Sequence, residues 1–120
     1  MKLQTFLLKQ KPKNNTPLIK KIFFHFPILK CKVLEESMQP LLNPGDMIVV
    51  NRFRKGKTGD IIVLKNPEKE SLQRYLIKQI EREENNKVYV LGINQKVSID
   101  SRQFGWIQKK DIIGKMILKI

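Results

Sequence analysis

From Asn43 onward the chain alternates short apolar runs with clusters of turn-forming residues. Asn43-Pro44-Gly45-Asp46 precedes Met47-Ile48-Val49-Val50, and Lys57-Thr58-Gly59-Asp60 precedes Ile61-Ile62-Val63-Leu64, which Asn66-Pro67 ends. Runs rich in β-branched residues and bounded by such clusters read as strands, because a branched side chain packs well on a pleated surface and the Gly, Pro, Asn and Asp positions turn the chain. The same reading predicts a third strand over Leu72–Ile80, a fourth over Lys87–Leu91 and a last over Ile112–Ile120, with Asn85-Asn86 as a hairpin turn. No stretch sustains the 3.6-residue period of an amphipathic helix, and neither an internal repeat nor a glycine-rich phosphate loop is present. The expectation is a mainly β fold: one compact domain over residues 31–120, preceded by an arm over 1–30.

The arm contains the most apolar run of the chain, Ile22-Phe23-Phe24-His25-Phe26-Pro27-Ile28-Leu29. A helix needs about 20 apolar residues to span a bilayer, so this run predicts no transmembrane segment. Met1–Pro17 is polar and dotted with lysines, without the apolar stretch and small-residue cleavage site of a secretory signal. The expected location is therefore the cytoplasm or the periphery of a membrane. Aromatic residues flanked by lysines suit an anionic lipid surface; the plainer reading is an extended arm packed on the domain with its lysines solvated.

Charge sharpens this division. Lys and Arg number 24 against 11 Asp and Glu, a net +13, which at first points to nucleic acid or an anionic membrane. Residues 1–34 hold eight of those lysines and no acid, and the other 86 residues carry 16 basic side chains against all 11 acids, a net of only +5. Only Phe53 and Tyr75 lie near the body's basic residues, so the aromatic interleaving of single-strand binders is thin, and no nucleic-acid partner is expected. Cys31 is the only cysteine, which excludes an intramolecular disulfide and a cysteine-rich metal site. His25 and Cys31 stand six residues apart with no ligand set around them, so packing is the default for both; no cofactor or metal is implied.

Chemistry enters with Lys78. Along Leu72–Ile80, alternation puts Leu76, Lys78 and Ile80 on one face and Tyr75, Ile77 and Gln79 on the other. An ammonium between two apolar neighbours is penalised by loss of water, which lowers its pKa, and a neutral lysine can act as a general base. The competing reading lays its stem on apolar surface and its head in water. A base needs a nucleophile, and Ser37 has a suitable setting in Glu35-Glu36-Ser37-Met38-Gln39-Pro40-Leu41-Leu42-Asn43-Pro44-Gly45-Asp46. A serine after a strand and before a proline-bearing turn is held rigidly, with its hydroxyl and its own N–H facing outward.

Ser37-Met38-x-Pro40-x-Leu42-x-x-Gly45-Asp46 resembles the catalytic box of the type I signal peptidases, membrane-associated serine proteases with a Ser/Lys dyad. Three further blocks resemble that family in order: Gly59–Val63 with Tyr75–Ile80, then Gly92–Gly105, then Asp111–Lys115. The resemblance covers roughly residues 31–117. It implies Ser37 as nucleophile, Lys78 as base, Ser98 as the group that aims the lysine amine, and Asp100 with Arg102 as a pair holding the Ser98 loop. It also implies the Ser37 N–H as an oxyanion donor and Met38 with neighbouring apolar groups as the lining of the substrate cleft. The partner would be a precursor protein bound as an extended strand along edges near 31–35 and 72–78.

Three positions depart from the family pattern. Ile93 replaces an acid, Gln79 replaces a common arginine, and Glu35 stands where a hydroxyl or glycine is usual. An ionised carboxylate cannot donate to an oxyanion, and losing one donor costs about 10²–10³ in rate where tested. Only 13 residues separate Lys78 from Gly92, a spacing similar to the short branch of nickel-type superoxide dismutase maturation proteases. In that reading nickel belongs to the substrate. The alternatives are a minimal signal peptidase acting on secreted preproteins, an inactive relative, and a non-enzymatic basic β-domain binding anionic lipid or nucleic acid. A related Ser/Lys fold occurs in self-cleaving repressors, but those need a DNA-binding domain and an internal cleavage site ahead of the peptidase part.

Overall fold

The computed structural model describes residues 27–120. Its strands are β1 (Ile28–Lys32), β2 (Met47–Asn51), β3 (Ile61–Lys65), β4 (Tyr75–Glu84), β5 (Lys87–Leu91), β6 (Ile107–Gln108) and β7 (Ile112–Lys119), with one short helix, α1 (Ser101–Phe104), between β5 and β6. All seven join one sheet in the order β1-β2-β7-β3-β4-β5-β6, every neighbour antiparallel. The mainly β expectation is what the structure shows.

Why this sheet holds together is visible in β3 and β4. β3 is apolar at every position but its last, and β4 is apolar at Tyr75–Ile77 and Ile80 before its exposed, charged end, as strands are where both faces are covered. Ile61, Val63, Tyr75 and Ile77 enter one core cluster with Cys31, Val33, Met38 and Leu42. Their alternates Ile62, Leu64, Leu76 and Ile80 enter a second with Val88, Val90 and Ile112. Each fully buried Ile or Leu contributes roughly 1.5–3 kcal/mol relative to exposure. Lys78 pairs with Ile62 and is the one ionisable residue between Leu76 and Ile80, so it is carried into this interior by the strand's own alternation.

Two turns frame the site. The chain leaves β1, makes the loop 33–46 and returns as β2; Val33 N–H donates to the Asp46 carbonyl (2.8 Å) and Gly45 N–H to the Val33 carbonyl (2.7 Å), closing the loop at its base. The Asp46 carboxylate accepts from Asn43 N–H, and Gly45 takes the left-handed φ of 97° that this turn requires. Between β3 and its preceding turn, Gly59 N–H donates to Ile80 O and Ile80 N–H to Asp60 O, pinning β4 in register. Gln79 adds a side-chain bond to the Gly59 carbonyl at 3.0 Å.

Two expectations need correction, the bounds of the third strand and the absence of any helix. The third strand starts at Tyr75 rather than Leu72 and runs on to Glu84. Residues 66–74 instead form a loop in which Asn66 bonds backbone and side chain to Arg74 O and Gln73 O, leaving Leu72 fully exposed. The strand extends because the Asn85-Asn86 turn, with Asn85 at φ 55°, folds β5 back on it. Helix α1 was not signalled by any helical period. It is one turn held by an N-cap. Strand β1 begins at Ile28, inside the segment assigned to the arm. Residues 22–26 of the expected interfacial run, His25 among them, lie outside the described residues, among which no helix is long and apolar enough to cross a membrane.

Candidate active site

Loop 33–46 carries Ser37 on a buried base. Met38 and Leu42, each about 1% exposed, anchor it in the first core cluster, and Leu42 N–H closes a turn onto Met38 O. Ser37 itself is 6% exposed. Its carbonyl accepts from Asn94 N–H (2.8 Å), so the segment after β5 is latched directly to the nucleophile candidate. Among the described residues the Ser37 N–H has no acceptor.

Opposite this loop, Lys78 is 1% exposed and donates from Nζ to Ser98 Oγ (3.1 Å). Ser98 Oγ in turn donates to Asp100 Oδ2 at 2.7 Å. With its hydrogen committed to the carboxylate, the Ser98 oxygen can only accept from the lysine. A neutral amine held in this way has its lone pair directed away from Ser98. Burial sets the Lys78 pKa below the ordinary lysine value; the Glu35 and Asp100 carboxylates push it back up, and Arg102 works in the same direction as burial.

Asp100 is the hub. It caps α1, accepting from Arg102 N–H, and it accepts from Gly92 N–H (2.9 Å), Ser98 Oγ and the Arg102 guanidinium (2.9 Å from Nε). Arg102 also reaches Gln95 O (2.9 Å), tying the 92–98 segment to the helix. Burial alone would raise the Asp100 carboxyl, but these hydrogen bonds together bring it down to about 2. A carboxylate depressed in the folded state adds stability that is complete above its unfolded pKa near 3.9 and is lost as pH falls through the folded value. Asp100→Asn is therefore expected to lower stability by about 2 kcal/mol at neutral pH. Urea titration at neutral pH and again near pH 2 checks this, the gap between wild type and variant shrinking at the lower pH.

Gly92 joins the two halves. A Cβ there would collide with the Ser98 side chain and with the Ser37 carbonyl oxygen, so only glycine lets the two serines approach across it. No hydrogen bond among the described residues links the Ser37 hydroxyl to Lys78; their segments meet through Gly92 and Asn94. Catalytic hydrogen bonds are often long in unliganded sites and tighten only with substrate.

A narrow cleft opens beside Ser37, lined by Glu35, Ser37 and Met38 from the loop, by Gln73 from the approach to β4 and by Leu76 and Ile77 at the start of that strand. Strand β4 pairs with β3 from Tyr75 onward but meets β5 only from Gln79, so its other edge over 75–78 is not taken by a strand. Residues 72–74, expected as part of that edge, belong to the loop. Ile93 packs against the first core cluster, a structural use of the position where the family pattern has an acid.

A family model described as Peptidase S24-like matches residues 7–117. The chain belongs to that family. This S24-like chain is also similar to the signal peptidase complex catalytic subunit SEC11C of Homo sapiens, Mus musculus and Canis lupus familiaris, at 24% identity over 90 residues, covering 69% of this chain and 47% of the relative. It spans about half the length of the curated relatives it matches. These likenesses are to a peptidase family and to a signal peptidase subunit, and they do not extend to the superoxide dismutase maturation branch.

Two parts of the site went unread in the sequence of this S24-like protein. Asp100-Ser101-Arg102-Gln103 is a capping box, in which Asp100 caps α1 while the Gln103 side chain accepts from Asp100 N–H. That acid-x-x-Gln spacing was a usable signal. The steric role of Gly92 had none, since it depends on contacts between segments far apart in sequence.

Proposed function

We propose that this chain is a serine endopeptidase that removes an N-terminal leader or signal peptide from a precursor protein, with Ser37 as nucleophile and Lys78 as base. The observation that carries this reading is the buried Lys78, hydrogen-bonded to a serine that is itself committed to a carboxylate. A solvated, structural lysine has no need of that arrangement.

The precursor lies extended in the cleft, adding main-chain bonds to the edge of β4 over 76–78. Neutral Lys78 takes the Ser37 Oγ proton as the oxygen attacks the scissile carbonyl, and the Ser37 N–H faces the developing oxyanion. The C–N bond then breaks, and the lysine ammonium passes its proton to the departing amine. Water attacks the resulting acyl-Ser37 ester, giving its proton to Lys78; the C–Oγ bond then breaks, the lysine ammonium returns the proton to Ser37 Oγ, and the leader is released with a new carboxylate. Ser98 orients the amine; Asp100 and Arg102 hold Ser98, acting as scaffold rather than in the chemistry. Met38 supplies apolar wall. Glu35 cannot serve as a second oxyanion donor while ionised.

Two substrates are in contention. The short Lys78-to-Gly92 spacing favours a leader-bearing nickel superoxide dismutase precursor, and the likeness to a signal peptidase complex subunit favours a secretory preprotein. The purified chain offered both, with N-terminal sequencing of the products, separates them. A single new N-terminus in one precursor is the expected result; intact precursors in both reactions would count against a processing peptidase. For the lysine-rich arm the proposed alternatives are an extended arm packed on the domain and contact with an anionic membrane surface, with the protein in the cytoplasm or at the membrane periphery.

A further inference from the structure

Glu35 is the single charged side chain on the cleft wall. Around it stand Leu34, Met38, Leu76 and Ile77, with Ser37 and Gln73 the only other polar groups. The carboxylate is exposed, and among the described residues it has neither a hydrogen-bond nor an ion-pair partner. Its field reaches Lys78, yet the Lys78 amine is held by Ser98 and makes no ion pair with it. A body of net positive charge thus presents the Glu35 carboxylate on the cleft wall; Glu36, the exposed acid between it and Ser37, does not line the cleft. A cation on a substrate entering the cleft meets this carboxylate before any other charge on the wall.

We propose that Glu35 is a specificity residue that selects precursors carrying a lysine or arginine close to the cleaved bond. This rests on the peptidase reading above, with Ser37 at the cut. Glu35 lies two residues before Ser37, at most roughly 7 Å of extended chain. The selected side chain therefore sits within about two to three residues of the scissile bond of an extended substrate. The carboxylate that is useless as an oxyanion donor has a use as an acceptor: it takes N–H donors from an ammonium or a guanidinium, the latter in two parallel bonds.

The test is a set of leader peptides of a cleaved precursor, identical except for Lys, Gln or Glu placed in turn at each of three positions on either side of the cut. Wild type, Glu35→Gln and Glu35→Lys are compared by kcat/KM. At one position wild type is expected to prefer Lys over Gln about tenfold, the worth of one charge-assisted hydrogen bond out of bulk water, mostly through KM. Glu35→Gln should lose that ratio and Glu35→Lys should favour the Glu peptide instead. Equal ratios in all three proteins, or no Lys preference at any position in wild type, would overturn the proposal while leaving the peptidase reading intact. So would a uniform change over all peptides, which would assign Glu35 to the Lys78 charge alone. Cleavage of no peptide by wild type would remove the peptidase reading, and this proposal with it.

Discussion

Ser37→Ala is expected to reduce cleavage by about 10⁴-fold or more while leaving the melting temperature within roughly 4 °C of wild type. The two halves of this expectation rest on different atoms. Catalysis needs the hydroxyl oxygen as nucleophile, and no neighbouring group can replace it. The fold uses the residue through its backbone: the Ser37 carbonyl accepts from Asn94, and Met38 and Leu42 anchor the loop from below. None of these contacts is lost with the hydroxyl. Initial-rate assays and a thermal melt on the same preparation check the pair. Adding Lys78→Met to Ser37→Ala should cost little more, because residues acting as one unit are far from additive.

Lys78→Met is expected to abolish cleavage and at the same time to stabilise the protein at neutral pH. The side chain is enclosed, its pKa is lowered chiefly by burial, and an ammonium there is held at a cost. A methionine of similar length keeps the contacts with the strand's apolar neighbours and removes the charge. Replacing buried ionic groups by packed apolar ones is often worth about 1–4 kcal/mol, and the lower half of that range is expected here because Ser98 and Asp100 attract the amine. The sign of the pH dependence follows from linkage. A lysine whose folded pKa lies below its unfolded value near 10.4 destabilises most below the folded value, and the penalty fades as pH rises from there to about 10. The advantage of the variant should therefore shrink as pH increases. Activity of wild type should rise through the folded pKa and level off above it, since only the neutral amine accepts a proton. A rate that shows no rise with pH anywhere below about 10 would contradict a lysine base.

The strands that alternate or run apolar between strong turn signals were legible: β2, β3, β5 and β7 fall within a residue or so of where the pattern puts them. What failed was local. Leu72 reads as strand on its own, but Asn66 bonds across to Gln73 and Arg74 and closes that stretch into a loop. Strand β6 is two residues long and exists only because β5 offers its edge, a tertiary cause that no window of sequence contains. At the site, the placement of Lys78 among apolar residues follows from a period of two and is readable without any relative. The convergence of Ser98, Asp100 and Arg102 is not. Its ligands come from segments that meet only when β4, β5 and α1 are assembled, and only the resemblance pointed to them. Glu35 shows the reverse case: as a departure from a family pattern it looked like a loss, and its place on the cleft wall supplies a role the pattern lacks.

The most direct test of the central claim is the mass of the peptide containing Ser37 after a single-turnover reaction with a cleavable precursor, quenched in acid and digested. Acid protonates Lys78 and halts hydrolysis of the ester, so the acyl fragment should be found on Ser37 in wild type and be absent from Ser37→Ala. Cleavage that proceeds with no acyl group on Ser37, or with the group on another side chain, would contradict the assignment.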